Sequence, residues 1–97
     1  MSIWFVTRHS GAIDWAEEEG FHIDSMLTHL DISQVKKGDT VIGSLPVNLA
    51  ADVCALGARY FHLSVDLPEK LRGVELTKDI MRSCNARLEE YKIERVI

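Results

Sequence analysis

The chain has 97 residues, 46% of them hydrophobic and 27% charged, with a net charge of −4 at pH 7, a balance that places it among folded globular domains and excludes disordered and fibrous classes. No apolar run reaches the roughly 20 residues of a membrane span, and the basic residues are too scattered to form the clustered face that long DNA or RNA requires. A single domain of this length buries only about two-thirds of the surface its unfolded chain exposes, so pairing with a second copy would benefit it.

Taken in chain order, Ile3 to Val6 is an aromatic and β-branched run, too short for a helix and continuous rather than alternating. It predicts a central, parallel strand buried on both faces. Arg8, His9 and Ser10 follow it, and "GAIDWAEEEG" then predicts a helix whose apolar side carries Ile13, Trp15 and Ala16 and which stops at Gly20. "IDSMLTHL" reads as a weaker strand before the turn-rich "DISQVKKGD". The opening arrangement then recurs: Val41 and Ile42 form a strand, Gly43 to Pro46 a turn, and Leu49, Val53 and Leu56 a helical stripe before Gly57. "ARYFHLSV" is a further strand, and "DLPEKLRG" a loop. From Thr77, a plausible N-cap, Ile80, Cys84, Leu88 and Tyr91 trace a last helix, and "IERVI" closes the chain as an edge strand or an oligomer contact. Cys54 and Cys84 fall on apolar helical positions and read as buried thiols rather than a disulfide framework. The N-terminus lacks the basic and apolar regions of a signal peptide, which leads to the expectation of a cytosolic protein.

This order predicts a single Rossmann-like α/β domain, an open and mostly parallel sheet flanked by helices. The loops after Val6 and after Ile42 then lie at the same end of the sheet, outside the carboxyl ends of the strands, where ligands of such folds bind. Both lead into helix N-termini, whose unpaired N–H groups and dipole suit an oxyanion or phosphate. Neither contains a Walker or GxGxxG pattern, so neither marks a nucleoside triphosphate or dinucleotide site. Arg8 is the sole Lys or Arg among the first 35 residues, against six acids. A guanidinium grips phosphate bidentately, and the neighbouring His9 can move a proton near neutral pH; the plainer reading is a surface arginine beside a hydrogen-bonded histidine. Ser10 and Gly11 fit the first loop as donor and point of close approach, and Ser44, Pro46 and Asn48 fit the second. Ser10 and Asn48 could equally serve as helix caps. Asp66 and Arg72 either line the same crevice or pair on the surface. His22, His29 and His62 share no metal-ligand spacing, and no metal or other cofactor is expected.

"TRHSG" resembles the Arg-His-Gly signature of histidine phosphatases, but Ser10 intrudes before the glycine. Over its whole length the chain is similar to the Csx-sixteen family of small CRISPR-associated proteins. "TRHSGAIDW", "HLD", "GDTVIGSLPVNLAADVCALGARYFHLSVDLP" and "LRGVEL" carry the resemblance in order and spacing. The resemblance implies a relative of the Rossmann-like CARF domains that accompanies type III CRISPR systems and degrades a cyclic oligoadenylate messenger, cyclic tetra-adenylate foremost. By position, Arg8, His9, Ser10 and Gly11 match the family's first loop, and Gly43, Ser44, Leu45, Pro46, Val47 and Asn48 its second, with Ser44 where threonine is common. A homodimer would match the twofold symmetry of the ring. Cleavage would proceed without metal, by attack of a ribose 2′-OH on its own 3′-phosphate, with Arg8 on the phosphate charge, His9 moving a proton, and Ser10 and Asn48 orienting. The rival expectations are a sponge that binds without cutting, and a sensor that passes the signal to a protein partner through "YKIERVI".

Overall fold

The continuous apolar run Ile3–Val6 (β1) is an inner strand: it pairs in parallel with Ser25–Leu27 (β2) on one side and Thr40–Gly43 (β3) on the other. The computed structural model describes all 97 residues. Beyond β3, Arg59–Ser64 (β4) continues the parallel sheet, and Arg87–Tyr91 (β5) closes it antiparallel, giving the order β2-β1-β3-β4-β5. The helices are Ser10–Glu18 (α1), Val47–Ala55 (α2) and Lys78–Ser83 (α3), with single 3-10 turns at Ile32–Gln34 and Glu69–Leu71. This is the expected Rossmann-like α/β sandwich.

Alternation along the strands divides the core in two. Phe5, Ile42 and Leu63 face α1 and α3, packing against Ala12, Trp15, Ala16 and Met81. Val41 and Tyr60 face α2, where Ala50 and Val53 cover them together with Val35 and Ala58. Burying a side chain the size of Phe5 or Ile42 is worth about 1.5–3 kcal/mol, so these two small layers carry most of the stabilisation. The buried face of α2 is Ala50, Ala51 and Val53, shifted from the expected stripe: Leu49 is half-buried and Leu56, past the helix end, is exposed.

The last helix is shorter than its spacing suggests. Thr77 does cap it, its hydroxyl accepting the Ile80 N–H at 3.2 Å, but α3 ends at Ser83, and Leu88 and Tyr91 belong to β5. Asn85 is the reason: it adopts φ 56°, a left-handed conformation that asparagine tolerates and that stops a helix. Leu88 then meets Leu63, and Tyr91 meets Tyr60, across the antiparallel ladder. The closing "IERVI" forms no strand: Ile93 packs on the α2 face, while Val96 and Ile97 are fully exposed. Of the thiols, Cys84 is buried and Cys54 only half-buried, both free. No helix is long and apolar enough to cross a membrane.

Candidate functional site

The strand order places β2 on one side of β1 and β3 on the other, so the chain leaves the carboxyl ends of β1 and β3 in opposite directions and opens a crevice between them. A cavity of about 490 Å³ lies there. Its walls come from the loop after β1 (Thr7, Arg8, His9), the residues after β2 (Thr28, His29, Leu30), and the loop after β3 (Ser44, Leu45, Pro46), with Leu49 and Leu63 as floor. In a chain of net charge −4, the lining holds one arginine, two histidines and no acid.

The first loop is shaped by Thr7, whose N–H donates to the Leu27 carbonyl at 2.8 Å and whose hydroxyl oxygen accepts the His9 N–H at 3.1 Å. This tight turn carries Arg8 and His9 out of the strand together. Arg59, Arg82, Arg87 and Arg95 are engaged in ion pairs; Arg8 makes none, and its exposed guanidinium is free for a ligand. Nδ1 of the half-buried His9 has two neighbours, the Leu76 N–H at 3.4 Å and Glu75 Oε1 at 3.2 Å. The amide requires a lone pair on Nδ1 and leaves the proton on Nε2; the carboxylate requires Nδ1–H and leaves a lone pair on Nε2. Either way Nε2 has no partner in the chain, so one imidazole can present an acid or a base to a ligand.

Neither long helix is capped by a side chain. His9 is the N-cap of α1 and Pro46 that of α2, so Ser10 and Asn48 stand inside their helices rather than capping them. The Ala12 N–H of the first turn of α1 is taken by the His9 carbonyl at 3.0 Å, and the remaining first-turn N–H groups of the two helices carry no side-chain cap. The second loop is fixed from β4: the Ser44 hydroxyl donates to the Leu63 carbonyl at 2.6 Å, and the Tyr60 hydroxyl oxygen accepts the Leu45 N–H at 3.0 Å. The Tyr60 hydroxyl donates to the Gly43 carbonyl at 3.1 Å and is hydrogen-bonded to His62 Nδ1 at 2.6 Å. Burial pushes the Tyr60 phenol up, keeping it neutral and a donor.

Of the residues expected in the crevice, the structure therefore gathers Arg8, His9, Ser44, Leu45 and Pro46. Ser10 and Gly11 lie instead in a depression toward α3 with Asp14 and Glu75. Gly11 serves packing there: a Cβ on it would stand 2.2 Å from the Leu76 carbonyl oxygen. Gly43 does the same against β1, since a Cβ would stand 2.9 Å from the Val6 carbonyl oxygen. Asn48 is exposed on α2 outside the lining, its carbonyl accepting from Arg95 at 3.4 Å. Asp66 pairs on the surface with Asn85 and Arg87, which hold its carboxyl below the usual range, and Arg72 is exposed in the loop after β4. The pattern of the sequence did not point to Thr7, Thr28 and His29; their signal is position, since 28 and 29 follow β2 as 8 and 9 follow β1. No three His, Cys, Asp or Glu side chains converge as metal ligands.

A family model described as "Putative CRISPR-associated protein (Cas_VVA1548)" matches residues 4–94. Comparison with curated proteins and with solved structures gives no match.

Proposed function

Since the chain belongs to this family of CRISPR-associated proteins, we propose that it binds a cyclic oligoadenylate, cyclic tetra-adenylate foremost, and cleaves it as a metal-independent ring nuclease that ends the antiviral signal. The observation that carries this reading is the crevice itself: an unpaired arginine and a histidine with a free Nε2, on the loops that lead into two helices without side-chain caps, at the switch point of a Rossmann-like sheet. Such a place suits a phosphodiester by both charge and hydrogen bonding.

Cleavage needs no outside nucleophile. The ribose 2′-oxygen bonds to the adjacent phosphorus, the P–O5′ bond breaks, the 2′-OH proton departs and the 5′-oxygen gains one, leaving a 2′,3′-cyclic phosphate and a 5′-OH. Arg8 and the helix N-termini stabilise charge on the phosphoryl oxygens. His9 moves a proton through Nε2, with Glu75 and the Leu76 amide as alternative partners for Nδ1. A homodimer would set two crevices against the four phosphates of the ring, matching its twofold symmetry.

The test is incubation of the purified protein with cyclic tri-, tetra- and hexa-adenylate, with and without EDTA, followed by product identification. Linear products ending in 2′,3′-cyclic phosphate, undiminished by EDTA, are expected from the tetra-adenylate. Tight binding with the ring left intact would make the protein a sponge, and neither binding nor cleavage would refute the reading.

A further inference from the structure

Across the 44–47 loop from the crevice lies a second cavity, of about 320 Å³, at the lower end of ligand-pocket sizes. Strand alternation builds it. Tyr60, His62 and Ser64 share the α2 face of β4, Tyr91 stands beside Tyr60 on β5, and Val47, the first residue of α2, forms the rim. The rings meet edge to face, Tyr60 with His62 at 5.9 Å and His62 with Tyr91 at 6.0 Å. The walls are thus aromatic and apolar, yet three polar tips have no partner in the chain: His62 Nε2, Ser64 Oγ and the Tyr91 hydroxyl. No buried side-chain polar atom lacks a partner, so the His62 and Ser64 tips reach solvent, as does the exposed Tyr91. Val47 and Tyr91 are 72% and 46% exposed, apolar surface that an occupant would cover.

We propose that this cavity holds a purine base of the nucleotide whose phosphate occupies the crevice. Resting on the nucleotide-binding reading above, the proposal adds a base site to it. Three observations choose the occupant. Aromatic walls suit a planar heterocycle. Separated donors and acceptors suit a purine's ring nitrogens and exocyclic group. Leu45 lines both cavities, and the Tyr60 phenol that holds its N–H belongs to the wall of the second, so one ligand with an anionic and an aromatic part can span the loop. A purine also offers a larger stacking face than a pyrimidine, which makes the site selective for base.

The test compares the affinity of cyclic tetra-adenylate with that of the same-sized ring carrying uracil, for the wild type, Tyr91→Ala and Tyr91→Phe. Tyr91 is half exposed on an edge strand, so truncation spares the core, and a melting curve verifies the fold. Loss of a stacking partner is expected to weaken the adenine ring by about tenfold, leave the uracil ring within about twofold, and be rescued by Tyr91→Phe. Adenine-ring affinity unchanged in Tyr91→Ala overturns the proposal while the crevice reading survives, and so does a change confined to self-association, which would assign the cavity to a second copy of the chain. If the wild type binds neither ring, the cyclic-nucleotide reading fails on its own. The base site is then decided by NMR titration with adenosine monophosphate against ribose 5-phosphate: ring signals of His62 and Tyr91 that move with the first alone support it, and signals that move with neither or with both overturn it.

Discussion

The two ends of the sheet treat their polar groups in opposite ways. At the amino end, the buried carboxylate of Asp39 accepts the N–H groups of Ser2 and Lys36 at 2.9 and 3.0 Å and the Trp4 indole at 3.1 Å, while the Asp39 carbonyl accepts the Arg59 N–H at 2.8 Å. One residue ties β1, β3 and β4 together and leaves nothing over. At the carboxyl end, Arg8 is unpaired, His9 keeps a free nitrogen, and two helices begin without side-chain caps. Satisfied groups stabilise a fold and are closed to ligands; open groups contribute little to stability and are available for binding. The difference lies in what is left open to a ligand: nothing on the Asp39 carboxylate, and Arg8 with one nitrogen of His9 at the carboxyl end.

The largest effect that would break this division is at Asp39. Asp39→Ala strands three donors near the core and is expected to cost about 2–4 kcal/mol, read by urea denaturation, without altering ligand affinity of the folded fraction. Next comes Gly11. Because a Cβ there meets the backbone of Leu76 and Thr77, Gly11→Ala should cost about 1–3 kcal/mol by overpacking; intact stability with lost binding would return Gly11 to the ligand site.

A smaller, graded effect follows from pH. The hydrogen bonds from Ser2, Lys36 and Trp4 hold the Asp39 carboxyl below its ordinary 3.8, so its contribution is fully present above that value and is lost as pH falls through the lower folded one. Melting temperature should therefore drop in that acid window, and Asp39→Asn should flatten the slope. Glu18, Asp31, Asp66 and Glu90, also held low by their partners, account for the remainder. Smallest in stability is Arg8→Ala, expected within about 0.5 kcal/mol of wild type but weakening cyclic tetra-adenylate binding severalfold or more, as titration of the ligand would show.

How far these ends could be read from sequence differs for physical reasons. β1 and β3 declared themselves as continuous apolar runs, and the helix after each by its apolar face and terminal glycine, so the loops holding Arg8 and Ser44 were placed correctly. The last helix misled because Ile80, Cys84 and Leu88 keep a four-residue spacing across Asn85, whose left-handed backbone carries no hydrophobic signal. β2 has only three residues, too few to show that His29 joins His9 at one crevice. Gly11 could not be resolved either, since a glycine that admits a ligand and one that admits another stretch of backbone look alike in sequence. Asp39 gave no signal, because an acid before a strand is ordinary until its three donors are seen to converge.

The most direct test of the account is His9→Ala under single-turnover conditions with cyclic tetra-adenylate, binding measured alongside. A proton-transferring imidazole acts mainly in the transition state, with help typically worth about 10²–10⁴-fold. His9→Ala should then bind with near-normal affinity and cleave at least about tenfold more slowly, the conservative side of that range; a variant that cuts at the wild-type rate would contradict this and leave the imidazole a structural part of the loop.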